Sequence, residues 1–210
     1  MGFAELADGA LATVLLTICA SFISICVGVL VAALRLSGNC VADVATRLYV
    51  SFMRGTPALV QLFLVFFGLP SIGLGGHPFW AASVAIGLNS GAYVSEILRG
   101  AILAVSLAQR EAADAIGIAP ARYWVRVLLP QALRGAIPAL TNEATLLLKT
   151  TPLASAVAVT ELTFSGQMII ARTYQAGRIL ALVSLGYLLL SFAITRSSMA
   201  LERRLARTQA

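Results

Sequence analysis

Charge is scarce in this chain: only 11% of its 210 residues are Asp, Glu, Lys or Arg, where soluble domains carry roughly 25%. Its single lysine, Lys149, follows Leu148, so the glycine-lysine step of a nucleotide-binding P-loop occurs nowhere and the chain is not expected to hydrolyse ATP itself. Its single histidine, His77, stands before Pro78. That excludes a two-histidine metal site and leaves no Ser-His or Cys-His nucleophile pair. Of three cysteines, Cys19 and Cys26 fall seven apart in one apolar run and Cys40 lies beyond it. This is neither metal-ligand spacing nor a disulfide framework, and all three read as packing or incidental residues. No catalytic residue, metal or cofactor is expected in this chain, nor an enzyme with a site of its own.

Apolar sequence fills the space that charge leaves: 59% of residues are hydrophobic and the mean hydropathy is +0.90. Runs near residues 10–34, 56–76, 79–98, 136–160 and 179–198 are each long enough to cross a bilayer, which takes about 20 apolar residues. The expectation is an all-α integral membrane protein with about five transmembrane helices, its residues 1–210 forming a single transmembrane domain. Gly68 to Pro78, rich in Gly and Pro, leaves only a short turn between the second and third runs. The first run is preceded by Glu5 and Asp8 instead of a basic segment and is too long for a signal-peptide core, so it is expected to remain as a helix.

The formal charge of +6 needs no polyanion to explain it, and no nucleic-acid partner is expected. Arg35, Arg47 and Arg54, then Arg99, Arg110, Arg122, Arg126 and Arg134, then Arg196, Arg203, Arg204 and Arg207 all fall in segments 35–54, 99–134 and the tail from 196. The remaining segments hold Arg172 and Arg178. The positive-inside rule then puts the N-terminus out and the C-terminus in. Glu202-Arg203-Arg204 and the rest of the tail read as an anchor on the lipid surface.

Residues 99–135 form a basic, partly amphipathic loop between apolar runs. Within it Glu111-Ala112-Ala113 predict a short helix, Gly117 a turn, Tyr123 to Leu129 a second amphipathic helix, and Pro130 a stop. That shape is a knob to be gripped by another protein. In the string Arg54-Gly55-Thr56-Pro57 the threonine is expected to cap the second span and the proline to sit in its first turn. Gly87, Gly91 and Ser95 make a stripe of small residues at four-residue steps, which lets a neighbouring helix approach. Glu96 and Arg99 at i, i+3 predict an ion pair at the inner end of that helix.

The fourth run carries Asn142, Glu143 and Lys149 in apolar surroundings. A lysine at a helix centre costs about 2.5–3.5 kcal/mol on insertion scales, so such groups face a protein interior or a watery path. Pro152 has no N–H and biases Thr151 away from helix, which predicts a break between Leu148 and Leu153 and a freed Leu148 carbonyl. Broken helices are tolerated in membranes where they line a cavity. Lys149, Thr150, Thr151 and Pro152, with Glu143, are the candidate substrate path; for Glu143 and Lys149 the alternative is a bond to a partner subunit. Residues 161–178 are too polar to span and are placed outside, as an interfacial helix over the cavity or a plain connection.

Strings in three regions, residues 54–63, 91–117 with 127–130, and 142–162, together carry a family resemblance. Glu111-Ala112-Ala113, Gly117 and Val127-Leu128-Leu129-Pro130 resemble the "EAA" coupling motif of ABC-transporter permeases; Arg54 to Phe63 and Gly91 to Gly100 resemble signatures of the polar amino acid importer permeases; and Asn142-Glu143 with Lys149-Thr150-Thr151-Pro152-Leu153 is similar to that family's Asn-Glu and Lys-Asp-Thr-Ser-Leu. The resemblance, from Thr13 to Arg203, implies the ABC type I importer permease fold. It implies an inner-membrane, multi-pass subunit that works beside a second permease subunit, identical or different. Two cytosolic ABC ATPase subunits would carry ATP and Mg, and a periplasmic or extracellular amino-acid-binding protein would deliver the substrate. Glu111, Ala112, Ala113, Gly117 and Pro130 then couple the ATPases to transport, within a cytoplasmic loop at about 99–135. Thr150 stands where the family has an acid, which disfavours arginine, lysine and histidine and favours a neutral or acidic amino acid or an opine-like relative. An ATP-independent secondary transporter or channel is the alternative; it would show inverted repeats and paired broken helices, and the sequence has one break and no repeat.

Overall fold

The structure is a computed structural model that describes the backbone of residues 2–71 and 76–207 and, of these, the side chains up to residue 200. Part of the turn expected at 68–78, residues 72–75, and the side chains of the expected tail anchor lie outside the described residues. Among the described residues the chain is helical and holds no strand.

Helix α1 (Gly2–Leu36) and the long final helix α9 (Ala176–Arg207) are each apolar and long enough to cross a membrane, α9 over Ala176–Ala200. Three further pairs of helices do so if each is one bent span, which brings the count to five. The buried stripe of α1 (Gly9, Thr13, Leu16, Ala20, Ser24, Gly28, Val31) has helical period. Gly9 meets Leu162 and Ser165, Thr13 meets Leu162, and from Ala20 to Gly28 α1 lies against α4 (Pro78–Leu103). Thr13 and Thr17 satisfy their hydroxyls on the carbonyls of Gly9 (3.0 Å) and Thr13 (2.7 Å), four residues back, so neither is left unpaired in apolar surroundings.

The small-residue stripe sets how close the two helices come. A Cβ at Gly87 would lie 2.7 Å from the Cβ of Ile23 and 2.9 Å from the Ala20 carbonyl oxygen, and one at Gly91 would lie 3.0 Å from Val27. Neither neighbour is the free end of a flexible chain. Gly87→Ala is therefore expected to push α1 from α4 and to destabilise by about 1–3 kcal/mol, the usual cost of overpacking. Gly100→Ala, where an added Cβ meets nothing within 4 Å, is the matched control on the same helix. Thermal melting of the two purified variants reads the difference.

Between α1 and α4 lie α2 (Cys40–Gly55) and α3 (Ala58–Ser71), bent 109° from one another. The Asn39 side chain starts α2 by accepting from the amides of Val41 (2.9 Å) and Ala42 (3.2 Å). Thr56 does not cap α3 as the sequence suggests. Its hydroxyl donates back to Phe52 O (2.8 Å) and accepts from Gln61 Nε2 (2.8 Å), while the Pro57 carbonyl takes the first bonds of α3. The corner is thus tied by Gln61, 4% exposed, whose amide also reaches Met53 O.

After α4 come α5 (Leu107–Ala115), α6 (Pro120–Tyr123), a π turn over Trp124–Leu128, and α7 (Leu129–Thr150). A 3₁₀ segment (Thr151–Val157) follows, ended by Ala158 in the left-handed conformation (φ 60°), then α8 (Leu162–Thr173). The break expected after Leu148 is there, because α7 gives way to the 3₁₀ turn at Pro152. The Leu148 carbonyl is not free, however: Thr151 covers it with both its N–H and its hydroxyl (2.8 Å). Nor is the segment after 161 a mere outer connection. Glu161 is fully buried, and Leu162 and Ile169 of α8 pack with Ile179 and Val183 of α9 and with Leu6 and Ala10 of α1.

Candidate functional site

The first candidate region is the knob between α4 and α7. Ser106 caps α5, its hydroxyl accepting from Ala108 N (3.3 Å), and Gly117 ends it at φ 74°. Ile118 N donates to Ala113 O (2.9 Å) and Gly117 N to Asp114 O (3.1 Å), the two bonds of a Schellman motif. Ile118 packs beside Ala113 in a small core with Tyr123, Leu128 and Ala132, which holds α5 to the root of α7. The two faces of α5 differ accordingly. Ala113 is buried, whereas Glu111, Ala112 and Gly117 are exposed together with Leu107 (74%) and Ile116 (76%).

Pro130 does not stop the second helix of the knob. The helix runs on through it into α7, because the preceding π turn, closed by Leu129 N to Trp124 O, adds the room that a proline ring needs against the turn before it. The knob is therefore continuous with α7. A cross-bond from Gln131 Nε2 to Gln109 Oε1 (2.7 Å) ties α5 to the same rod.

At the C-terminal end of α4 the expected Glu96–Arg99 pair is present (2.8 Å), and it is one link of a larger cluster. Arg35 of α1 pairs with Glu96 and lies 3.6 Å from Asp43 of α2, and Asp43 in turn pairs with Arg47 (2.7 Å). The ends of α1, α2 and α4 are fastened together beneath the knob. Arg54 stands over the Tyr93 ring, 5.1 Å from its centroid.

The second region is a cavity of about 220 Å³ between α4 and α7, lined by Asn89, Ser90, Tyr93, Glu143 and Thr150 with Ile86, Leu146 and Leu147. Glu143 Oε1 accepts from the Ser90 hydroxyl (2.7 Å), which accepts from Ser24 of α1 (3.0 Å). Asn89 donates to Gln61 Oε1 (2.9 Å) and Met53 O (3.0 Å), joining the cavity wall to the α2–α3 corner. Of the five candidate path residues the structure brings Glu143 and Thr150 to this cavity. Lys149 is exposed beside it, Thr151 is buried beneath Leu148, and Pro152 is half-buried in the 3₁₀ turn. Thr150 spends its proton on Leu146 O (2.8 Å). Ser24, Asn89 and Ser90 were not singled out by the sequence; their signal is polar side chains recurring on the buried face of apolar helices. Among the described residues no group of three or more His, Cys, Asp or Glu side chains is placed to hold a metal.

Residues 24–207 match the family model described as "Binding-protein-dependent transport system inner membrane component". The nopaline transport system permease protein of Agrobacterium fabrum is 38% identical over 206 aligned positions, covering 91% of this chain and 86% of that one. The glutamine transport system permease protein of Escherichia coli K12 is 35% identical over 202, covering 95% and 92%. Among solved structures, an amino acid ABC transporter crystallised with histidines superposes with a TM-score of 0.89 at 31% identity, over 96% of this chain and 94% of that one. The MetNI methionine transporter does so at 0.77 with 22% identity over 97% of each chain, a likeness of fold alone.

Proposed function

The chain belongs to the family of binding-protein-dependent transport system inner membrane components, and from that membership we propose how its parts move an amino acid. It is a permease subunit of the amino-acid and opine class of ABC importers, with the type I permease fold, in the inner membrane. It is not an enzyme; the ATPase is a separate subunit, and a binding protein is the other partner that the family implies. An ATP-independent transporter is not favoured by these relatives.

In the proposed assembly two permease subunits enclose the path, two ATPase subunits bind ATP and Mg, and the binding protein docks outside. The N-terminus faces out and the knob at about 99–135 faces in, as the arginine distribution requires. Glu111, Ala112 and Gly117 present the gripped surface, and Ala113 seats α5 on the core beneath it. Pro130 and the π turn make that surface one rod with α7, so closure of the ATPases tilts α7 and opens or shuts the cavity at its far end. This continuity of the knob with the wall of a polar cavity is the observation that carries the mechanism.

Glu143 is the one carboxylate lining the cavity among the described residues, and it receives the α-ammonium of the amino acid. No second acid remains for a cationic side chain, since position 150 is threonine. The substrate is a neutral or acidic amino acid, or an opine-like relative without a cationic side chain. Lys149, exposed at the end of α7, offers its ammonium to the substrate carboxylate from the path shared with the second permease, while Thr151 and Pro152 set the break. Melting the binding protein against the twenty amino acids should show the largest stabilisation with a neutral or acidic compound. Vesicles holding the permease should take that compound up only when the ATPase subunits and ATP are present. Uptake without them would overturn the mechanism; stabilisation by arginine, lysine or histidine alone would overturn the substrate class.

A further inference from the structure

Away from the path, the most polar buried cluster lies where the 3₁₀ segment, α8 and α9 meet, around a carboxylate that the transport reading leaves unused. Glu161 is fully buried. Its oxygens accept from the amides of Thr163 (2.8 Å) and Phe164 (2.8 Å), which caps α8, and Oε2 also accepts from the Tyr187 hydroxyl of α9 (2.7 Å). The next residue, Leu162, donates its N–H to the Thr13 hydroxyl of α1 (3.0 Å). A cap alone needs none of this: Ser or Asn would satisfy the same amides without the several kcal/mol that burying a carboxylate costs when its bonds are incomplete. The reach to Tyr187 is the added feature.

The Tyr187 hydroxyl donates to Glu161, so its oxygen is an acceptor for its other neighbours. Thr163 Oγ1 lies 3.1 Å away and Thr151 Oγ1 3.5 Å away. Thr151, also fully buried, has one hydroxyl proton and two acceptors: the Leu148 carbonyl at 2.8 Å, which holds it here, and Tyr187 at the far limit of hydrogen bonding. Leu148 belongs to the last turn of α7, the helix that tilts. Tyr187 belongs to α9, and with Glu161 it is bound to α8 and α1. The 3₁₀ segment between them buries Ala154 and Val157 against Leu16, Leu62, Ala82 and Ile86, in the same core as Leu147 of the cavity wall. Thr151 therefore sits at the joint between the end of α7 and the α8–α9 pair.

We propose that Glu161 and Tyr187 are positioning residues of the transport cycle. They hold the frame of α8 and α9 in place, and Thr151 passes its hydroxyl proton from the Leu148 carbonyl to Tyr187 as α7 tilts, so that the joint has two defined settings. The proposal rests on the reading of α7 as the driven helix. No bond other than hydrogen bonds changes: in one setting the Thr151 hydroxyl donates to Leu148 O, in the other to Tyr187 Oη, and the Tyr187 hydroxyl keeps its proton and donates to Glu161 throughout.

The test uses the whole importer, permease with its ATPase subunits in vesicles and binding protein outside, and the radiolabelled compound that most stabilises the binding protein in the melting screen above. The readouts are ATP hydrolysed per molecule taken up, and KM for the loaded binding protein. Tyr187→Phe and Thr151→Val are each expected to raise the ATP consumed per molecule about five-fold, within the range that substitutions along a coupling chain produce, with KM unchanged. The double variant should raise the ratio by less than the product of the two single effects, since the Thr151–Tyr187 contact can be lost only once, and Thr151→Ser, which keeps the hydroxyl, should restore the ratio. Should Tyr187→Phe fail to fold, the two Thr151 variants carry the test. A ratio unchanged in Thr151→Val, with only yield or melting temperature lowered, would mean that the cluster is structural and would overturn the proposal. Absence of ATP-driven uptake by the unsubstituted importer would overturn the mechanism beneath it as well.

Discussion

Gly117→Val is expected to leave the permease folded in the membrane, with its partner still hydrolysing ATP, and to cut uptake at least about tenfold, equal to a coupling loss of about 1.4 kcal/mol. The reasoning starts at the backbone. Gly117 has φ 74° and closes α5 through two Schellman bonds, Ile118 N to Ala113 O and Gly117 N to Asp114 O. A β-branched residue is strongly disfavoured in that region, at about 1–3 kcal/mol, and relief comes from opening the turn. That swings α5 away from the core of Ala113, Ile118 and Tyr123, and the exposed face of Leu107, Glu111 and Ile116 loses its set orientation. The spans are untouched, so insertion is preserved. Gly117→Asn is the control, because asparagine tolerates the left-handed conformation and an added Cβ here meets nothing within 4 Å; it should transport nearly as the unsubstituted protein does. Gly117→Asp keeps the same backbone tolerance but puts a charge on the gripped surface. A loss with Asp and not with Asn would locate the defect in the contact with the ATPase. Normal uptake by Gly117→Val would remove Gly117 from the coupling machinery.

What the sequence made legible is what depends on local spacing. The four-residue stripe of Gly87, Gly91 and Ser95, the i, i+3 pair of Glu96 and Arg99, the turn at Gly117 and the break at Pro152 all need only neighbours within a few residues, and the structure has each of them. Features decided by distant partners were hidden. Ser90 and Glu143 meet across 53 positions and Arg35 and Glu96 across 61, and nothing in either local string announces the other. Glu161 opens a polar stretch that reads as an outer connection, yet it is buried because Tyr187, 26 residues on, supplies a donor. Pro130 misled for a related reason. A proline rule assumes a regular α-helix before it, and a π turn suspends the clash. Thr56 likewise had the right residue type for a cap, and the corner's Gln61 claimed its oxygen instead.

The charge on Glu143 has the second large expected effect. Glu143→Gln keeps the side-chain volume and an oxygen for the Ser90 hydroxyl, now 2.7 Å from Glu143 Oε1, and removes only the negative charge from the cavity. If that carboxylate receives the substrate's α-ammonium, the variant loses a charge-assisted hydrogen bond made where water is scarce, about 1.5–3 kcal/mol, so uptake should fall about ten- to a hundredfold. Binding-protein docking and the ATPase stimulation it produces should persist, since neither the outer surface nor the knob is altered. Ser90→Ala separates the two roles of the carboxylate: it removes the fixed partner and leaves the charge, and should lower uptake only a few-fold. The opposite pattern, uptake intact in Glu143→Gln and lost in Ser90→Ala, would make the Ser24–Ser90–Glu143 chain a tie between α1, α4 and α7 and would move the recognition of the amino group elsewhere on the path. Lys149→Met bears on the other end of the same substrate. With both charges contributing, either variant alone should be poor, whereas a defect confined to Glu143→Gln would show that the carboxylate of the amino acid is held by the second permease.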